Sequence, residues 1–293
     1  MLCSRQRTSN SGSPTRDIES FRICPHRPKL ACQPIGSGMS GQKNCPGAAT
    51  ARQSRPGRER SGNPISSAGQ SPNSSQVSPL LARLVHPERL APLLLETNGD
   101  LGKAIKLYAW NIEISAAFWG SFHMLEVSFR NALHEQLTLL AGQEDWWLKE
   151  SHLFHAFEKD EIAKAIGRGT RLHTQPTAEH VFAELGFAFW VGLLANDYHK
   201  SLWQNRLERA FPHFSDLRTE LHFNLDRLRK LRNRIAHHEP IHDRDLRRDN
   251  ELIYFILGYI EPSVAAWMDE LSRIPEVLSN KSSRIDGSSR LTF

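Results

Sequence analysis

The stretch Leu231-Arg-Asn-Arg-Ile-Ala-His-His-Glu-Pro240 places an arginine, an amide and a titratable imidazole within six positions of one another. Arg232 can stabilise charge that develops on phosphate oxygens. His237 can move a proton on or off a ribose oxygen near neutral pH. Asn233 can orient either group. Arg232, Asn233 and His237 are therefore the candidate catalytic residues for phosphodiester cleavage without a metal. The chain has no HExxH, EF-hand or CxxC spacing, so no metal or other cofactor is expected. It has no Gly-rich phosphate loop, which argues against a P-loop NTPase, and no GxSxG elbow. The pairs His152/His155 and His242/Asp243 read as surface coincidences.

The elements that would position these groups follow from periodicity. At about 100° per residue, Leu217, Leu221, Leu225, Leu228, Leu231 and Ile235 form one apolar stripe, and Arg232 falls within about 20° of Leu221. Arg229, Lys230 and Arg234 fall outside that stripe. A guanidinium on a core face is costly unless it is paired, or opens on a cleft or a subunit interface. Pro240 disfavours helix at Glu239, so the helix should end near Ala236–His238. On a continuous helix Arg232 and His237 point about 140° apart; a loosened end lets His237 fold back towards Arg232. His237 and His238 both sit where a helix C-terminus favours imidazolium. In an earlier helix Phe118, Trp119, Phe122, Phe129, Leu133 and Leu140 share one face. Glu126 lies within that face, Asn111 and Ser115 come before it, and Arg130 is at its margin. Glu126 is expected to pair with Arg232, with Arg130 nearby, and so to hold the guanidinium at the fixed orientation that phosphate recognition requires. A purely structural buried ion pair is the competing reading.

The surrounding chain divides near residue 78. Of the 293 residues, 24% are charged and 39% hydrophobic. Residues 1–78 hold 11 Lys and Arg against 3 Asp and Glu, a formal +8, and 31 of them are Gly, Pro or Ser. They are expected to be a disordered basic tail that cannot bury enough apolar surface to order itself. A mis-assigned start codon would also produce such a segment. The remaining residues carry a formal −3, so the basic balance belongs to the tail and a globally basic surface for duplex nucleic acid is excluded. All four cysteines (Cys3, Cys24, Cys32, Cys45) lie in the tail, with irregular spacing. That excludes a disulfide-stapled domain and reads as free thiols. No signal peptide is visible. The longest apolar stretch, Gly186 to Ala195, is far short of the roughly 20 residues a membrane span needs. The expected location is cytoplasmic, with no membrane partner.

From Pro79 onward helical periodicity dominates. His86-Pro87 starts a short helix, and Asp100 opens a long one to about Leu140. Further helices are expected over 155–168, 178–195, 199–210, 216–236, 243–259 and 262–274, with starts at Thr177 and at Ser215-Asp216. The fold class is all-α, a helical bundle preceded by a disordered tail. The helical domain spans 79–275, and 276–293 is a polar, frayed C-terminal tail.

Four segments, in order, carry a resemblance. They are Leu107-Tyr-Ala-Trp-Asn111, Leu125-Glu-Val-Ser-Phe-Arg-Asn-Ala-Leu-His134, Ala183-Glu-Leu-Gly-Phe-Ala-Phe-Trp-Val-Gly-Leu-Leu194 and Leu231-Arg-Asn-Arg-Ile-Ala-His-His-Glu-Pro-Ile241. Arg232-Asn233-x-x-x-His237 resembles the Arg-polar-x-x-x-His motif of HEPN domains, and the chain is similar to their Abi-like (abortive infection) branch. The resemblance implies a HEPN-like helical bundle and a homodimer that brings two motifs together. It also implies metal-independent RNase activity in many members, and an anti-phage or toxin–antitoxin setting with a protein or RNA antitoxin. It matches Arg232, Asn233 and His237 to the motif, and Glu126, Arg130 and Asn131 to a second polar block. His238 is a further supporting candidate. RNA is the implied partner, and Arg227, Arg229, Lys230 and Arg234 could build a local RNA groove. The leading reading is a ribonuclease that attacks through the ribose 2′-hydroxyl and leaves a 2′,3′-cyclic phosphate. The alternative is a non-catalytic RNA-binding or protein-interaction module; a purely structural helical dimer is a third reading.

Overall fold

The helical periodicity of the sequence becomes an all-α structure. The computed structural model describes residues 83–172 and 177–292, and among them there is no strand. The described residues belong to the unit Ser66–Phe293. The disordered basic tail expected over 1–78, with its four cysteines, lies outside the described residues.

Helix α1 (Pro87–Glu96) begins with Pro87 in its first turn, as the sequence predicts. Asn98 (φ 53°) and Gly99 (φ 80°) turn the chain in the left-handed region. Asp100 then caps α2 (Leu101–Ala141), its Oδ1 accepting the Lys103 N–H at 2.9 Å. This helix has 41 residues, about 60 Å of axis, and Gly142 ends it at φ 73°. Leu107, Trp110, Ile114, Phe118, Phe122, Leu125, Phe129 and Leu133 recur at spacings of three or four and are all buried. They make α2 the spine on which the other helices pack.

Short helix α3 (Trp146–Lys149) and α4 (Ala156–Leu172) follow. The single helix expected over 178–195 is two. α5 (Ala178–Ala183) starts at the Thr177 cap, but Gly186, in extended conformation (φ −71°, ψ 161°), separates it from α6 (Phe187–Gly192). The expected helix over 199–210 is instead a π turn (His199–Trp203) and a 3-10 turn (Leu207–Ala210), broken at Arg206 with φ −152°. Trp203 stacks on Phe211 there, and the buried Arg218 guanidinium holds the segment through the Leu194 carbonyl, Asn196 Oδ1 (3.1 Å) and His199 Nδ1 (3.1 Å). Tertiary packing overrides helical propensity in this region.

Helix α7 (Arg218–Ala236) starts later than Ser215-Asp216 would place it. Leu217 is its extended N-cap and is 66% exposed, so it leaves the predicted apolar stripe; Leu221, Leu225, Leu228, Leu231 and Ile235 are buried as expected. Asp245 caps α8 (Leu246–Ile260) by accepting the Arg248 N–H at 3.1 Å, and α9 (Pro262–Leu271) follows. The expected polar, frayed tail over 276–293 is not what forms. Helices α10 (Ile274–Ser279) and α11 (Lys281–Asp286) dock on α2. Val277 is buried and its carbonyl accepts the Trp110 indole N–H at 3.0 Å. Arg284 is buried in an ion pair with Glu113, itself buried on α2. The polar residues that suggested a tail are thus partners of buried groups on the spine.

Candidate functional site

Arg232 and Glu126 meet where α7 crosses α2. Arg232 Nε lies 2.7 Å from Glu126 Oε1 and Nη2 lies 3.4 Å from Oε2, a two-toothed pairing between residues 106 positions apart in sequence. The pairing is the expected one; the expected burial is not. The Arg232 and Glu126 side chains are 31% and 25% exposed. The reason is Trp119. It falls on the apolar face of α2 by spacing yet is 46% exposed, and the Arg232 guanidinium sits 5.6 Å from its ring centroid. The pair therefore opens on a surface recess.

That space is two cavities that share Trp119 and Arg232. The larger holds about 720 Å³ and is lined by Tyr108, Asn111, Ile112, Ser115, Ile235 and His238, among others. The smaller holds about 350 Å³ and is lined by His123, Glu126, Val127 and Arg130. Arg130 donates from Nη1 to the Ala183 carbonyl at 3.4 Å and lies over the Phe182 ring, and its Nε is buried with no partner. Asn131, on the same helix, is exposed and lines neither cavity.

The helix end has its own bracing. His237 is the C-cap of α7 and donates its N–H to the carbonyl of Asn233 (2.9 Å), and the His238 N–H goes to that of Ile235 (3.0 Å). His238 adopts φ 57°, a left-handed conformation unusual for a side chain of its size. The Arg89 guanidinium from α1 holds the carbonyls of both histidines, the second at 3.5 Å for His237. Glu239 N–H returns to the Arg234 carbonyl at 2.8 Å, and Arg234 itself reaches the Pro240 carbonyl and Asp243 (3.3 Å). Asn111 Oδ1 accepts the Ile241 N–H at 2.7 Å and ties the exit strand of chain to α2. His237 and His238 are both exposed, and it is His238 that lines the larger cavity beside Arg232. Asn233 is half-buried.

The four basic residues read as an RNA groove are not gathered around Arg232. Arg227 and Lys230 line a separate cavity with Phe223, Arg244 and Asp245. Each of the four is engaged with an acid: Arg227 with Asp249 (2.5 Å), Arg229 and Lys230 with Asp226 (2.7 and 2.8 Å), Arg234 with Asp243 and Glu239. Asp226 is held below its ordinary range against the opposing effect of burial, through hydrogen bonds from Lys230 and Arg229.

Sequence reasoning missed several buried polar groups, Glu113, Arg218 and Arg284 among them, and three more bear on the helix contacts. Asp249 is fully buried and accepts from Arg227 and from Arg244 (Nε–Oδ2 3.1 Å). It lies at helical spacing with Leu246 and Ile253 on the apolar face of α8, and a wheel drawn for that helix would have found it. His242, read as a surface residue, is buried, with Nε2 2.8 Å from Glu96 and Nδ1 without a partner. Burial depresses its pKa, opposed by Glu96 and Asp243. Glu158, buried, accepts from Tyr198 Oη at 2.6 Å, and burial and that carboxylate raise the phenol's pKa. Among the described residues no three His, Cys, Asp or Glu side chains converge as metal ligands would, and no helix is long and apolar enough to cross a membrane.

No family model, no curated protein and no solved structure matches the chain.

Proposed function

We propose that the protein is a metal-independent ribonuclease of the HEPN Abi-like kind, with the Glu126–Arg232 pair at its centre. One observation carries the reading: a guanidinium fixed in orientation by a carboxylate, with Nη1 outside that pairing, opens on a cavity whose mouth carries an imidazole. Arg232 stabilises the charge of the pentacoordinate phosphate. A histidine of the 237–238 pair takes the proton of the 2′-hydroxyl as that oxygen attacks phosphorus, and the imidazolium so formed gives the proton to the 5′-oxygen as the P–O5′ bond breaks. The products are a 2′,3′-cyclic phosphate and a 5′-hydroxyl. Asn233 orients the helix end, and Arg130 supports the α2 side. In this reading the chain works in the cytoplasm as a homodimer within an anti-phage or toxin–antitoxin system, restrained by a protein or RNA antitoxin.

A second reading, a non-catalytic RNA-binding or protein-interaction module, is favoured by one specific feature. Two Arg232 nitrogens are spent on Glu126, and Arg227, Arg229, Lys230 and Arg234 are all paired with acids. Incubating the full chain with total RNA in EDTA separates the two. Cleavage that yields cyclic phosphate ends, lost about 10²-fold or more in Arg232→Ala and in one of His237→Ala or His238→Ala, supports the enzyme. RNA left intact by the wild type, or cut equally by all variants, rejects it.

A further inference from the structure

We infer that the larger cavity between α2 and α7 seats one unstacked nucleobase of a single-stranded RNA, with the base ring on Trp119 and its phosphate on Arg232. The inference deepens the ribonuclease reading and takes from it only that the ligand is RNA. Three observations support it.

Trp119 is the first. The other rings on its face of α2, Phe118, Phe122 and Phe129, are buried in the core, whereas Trp119 is nearly half exposed and turns towards the cavity. An indole presented in this way is a stacking surface that every base can use, because every base has a π face. The cation beside it is the second. Arg232 Nη1 takes no part in the Glu126 pair, so a phosphate attached to the stacked nucleoside meets a donor within reach of the same ring. The third is the lining. At about 720 Å³ the cavity lies in the range of ligand sites, and its walls are largely apolar, with a few polar groups set among them. Asn111 has spent Oδ1 on Ile241, and its amide NH2 has no partner among the described residues; nor have the hydroxyls of Tyr108 and Ser115. An apolar side chain from a second copy would strand those groups and desolvate Arg232. A heteroaromatic ring with donors and acceptors on its edge, carrying an anion, satisfies both. Dimerisation through another face is compatible with this occupant.

The test uses the full chain and a fluorescent single-stranded oligonucleotide with 2′-fluoro riboses, which lacks the attacking hydroxyl, so binding is read without cleavage. The wild type should bind it at least tenfold more tightly than the matched duplex or adenosine monophosphate. Trp119→Ala should weaken binding about tenfold, as loss of one stacked base does, while Trp119→Phe stays within about threefold of wild type. The two variants should keep the wild-type thermal midpoint, since the side chain lies outside the core. Wild-type binding by Trp119→Ala, mononucleotide or duplex binding equal to that of the strand, or no binding of the strand overturns the inference. So does light scattering that shows a wild-type dimer dissociated by Trp119→Ala, because the cavity would then be a subunit contact. Tight, Trp119-dependent binding of the fluoro strand with no cleavage of the ribose strand would sink the ribonuclease reading and leave this one standing.

Discussion

Helix α7 carries arginine–carboxylate pairs on two faces, and solvent treats them differently. Towards α8, Asp249 is fully enclosed: Oδ1 accepts from Arg227 and Oδ2 from Arg244, and Arg227 also donates to the Asp245 carbonyl at 3.1 Å. Both carboxylate oxygens are occupied by groups from the protein. Towards α2, Glu126 and Arg232 are a quarter to a third exposed, adjoin two cavities, and leave Nη1 outside the pairing. The two arginines, Arg227 and Arg232, are equally exposed at 31%; what differs is the desolvation of their carboxylates. A carboxylate with no water to fall back on locks two helices together, because separating it from its cations strands a charge. A pair that water can reach holds its partner's orientation at little energetic risk, which is what a site that must exchange solvent for substrate needs.

The largest expected effect breaks the enclosed side. Asp249→Ala leaves two guanidiniums facing each other at the α7–α8 contact and should cost about 3 kcal/mol or more. For a domain of this size that lowers the thermal midpoint by roughly 10 °C. Replacing Asp249, Arg227 and Arg244 together by Leu, Met and Met should recover most of the loss. A midpoint for Asp249→Ala within a degree or two of wild type would mean that the carboxylate is not the lock described here.

A smaller effect sharpens the open side. In a double-mutant cycle of Glu126→Gln and Arg232→Met, the coupling in stability should be about 1 kcal/mol or less, well under the Asp249 cost, because both groups retain water. Cleavage should respond far more than stability in the same variants. A coupling of several kcal/mol, with activity unmoved, would place this pair in the same structural class as Asp249.

The contrast between the two sides was only half legible in the chain. Spacing alone put Arg232 and Glu126 on apolar faces and so predicted that they meet. It could not say that they meet at an edge, because a helical wheel gives the direction of a side chain and not where its neighbouring helix ends. Trp119 fails for that same reason, on an apolar stripe yet exposed; Leu217 fails because the helix starts one residue after it and leaves it as an extended N-cap. The partners of the enclosed site were overlooked because Asp249 lies in the charged run Arg247-Arg-Asp-Asn-Glu251, where composition hides its periodicity with Leu246 and Ile253. The C-terminal helices were overlooked because their buried polar residue, Arg284, forms its ion pair with Glu113, some 170 positions away in sequence. Long-range polar pairing leaves no local trace. The α2 spine, by contrast, was readable along its length, since a cap at Asp100 and a three-four apolar rhythm are both local signals.

The smallest effect on stability concerns the turn next to the open pair. His238 is held at φ 57°, where a residue with a Cβ is strained by roughly 1–2 kcal/mol and glycine is not. His238→Gly removes that strain but gives the unfolded chain more freedom, worth roughly 0.5–1 kcal/mol in the opposite direction. The two nearly cancel, so the thermal midpoint should rise by no more than a degree or two. Arg89 still finds the two carbonyls, and Asn111 still holds the Ile241 N–H, since neither bond uses the imidazole. What the variant loses is the ring at the mouth of the cavity. If strain is retained there to place that imidazole beside Arg232, His238→Gly should reduce cleavage about 10²-fold while leaving stability level or slightly improved. Cleavage equal to wild type in His238→Gly, with loss in His237→Ala, would assign the proton transfer to the C-cap residue and leave the left-handed turn as chain geometry alone.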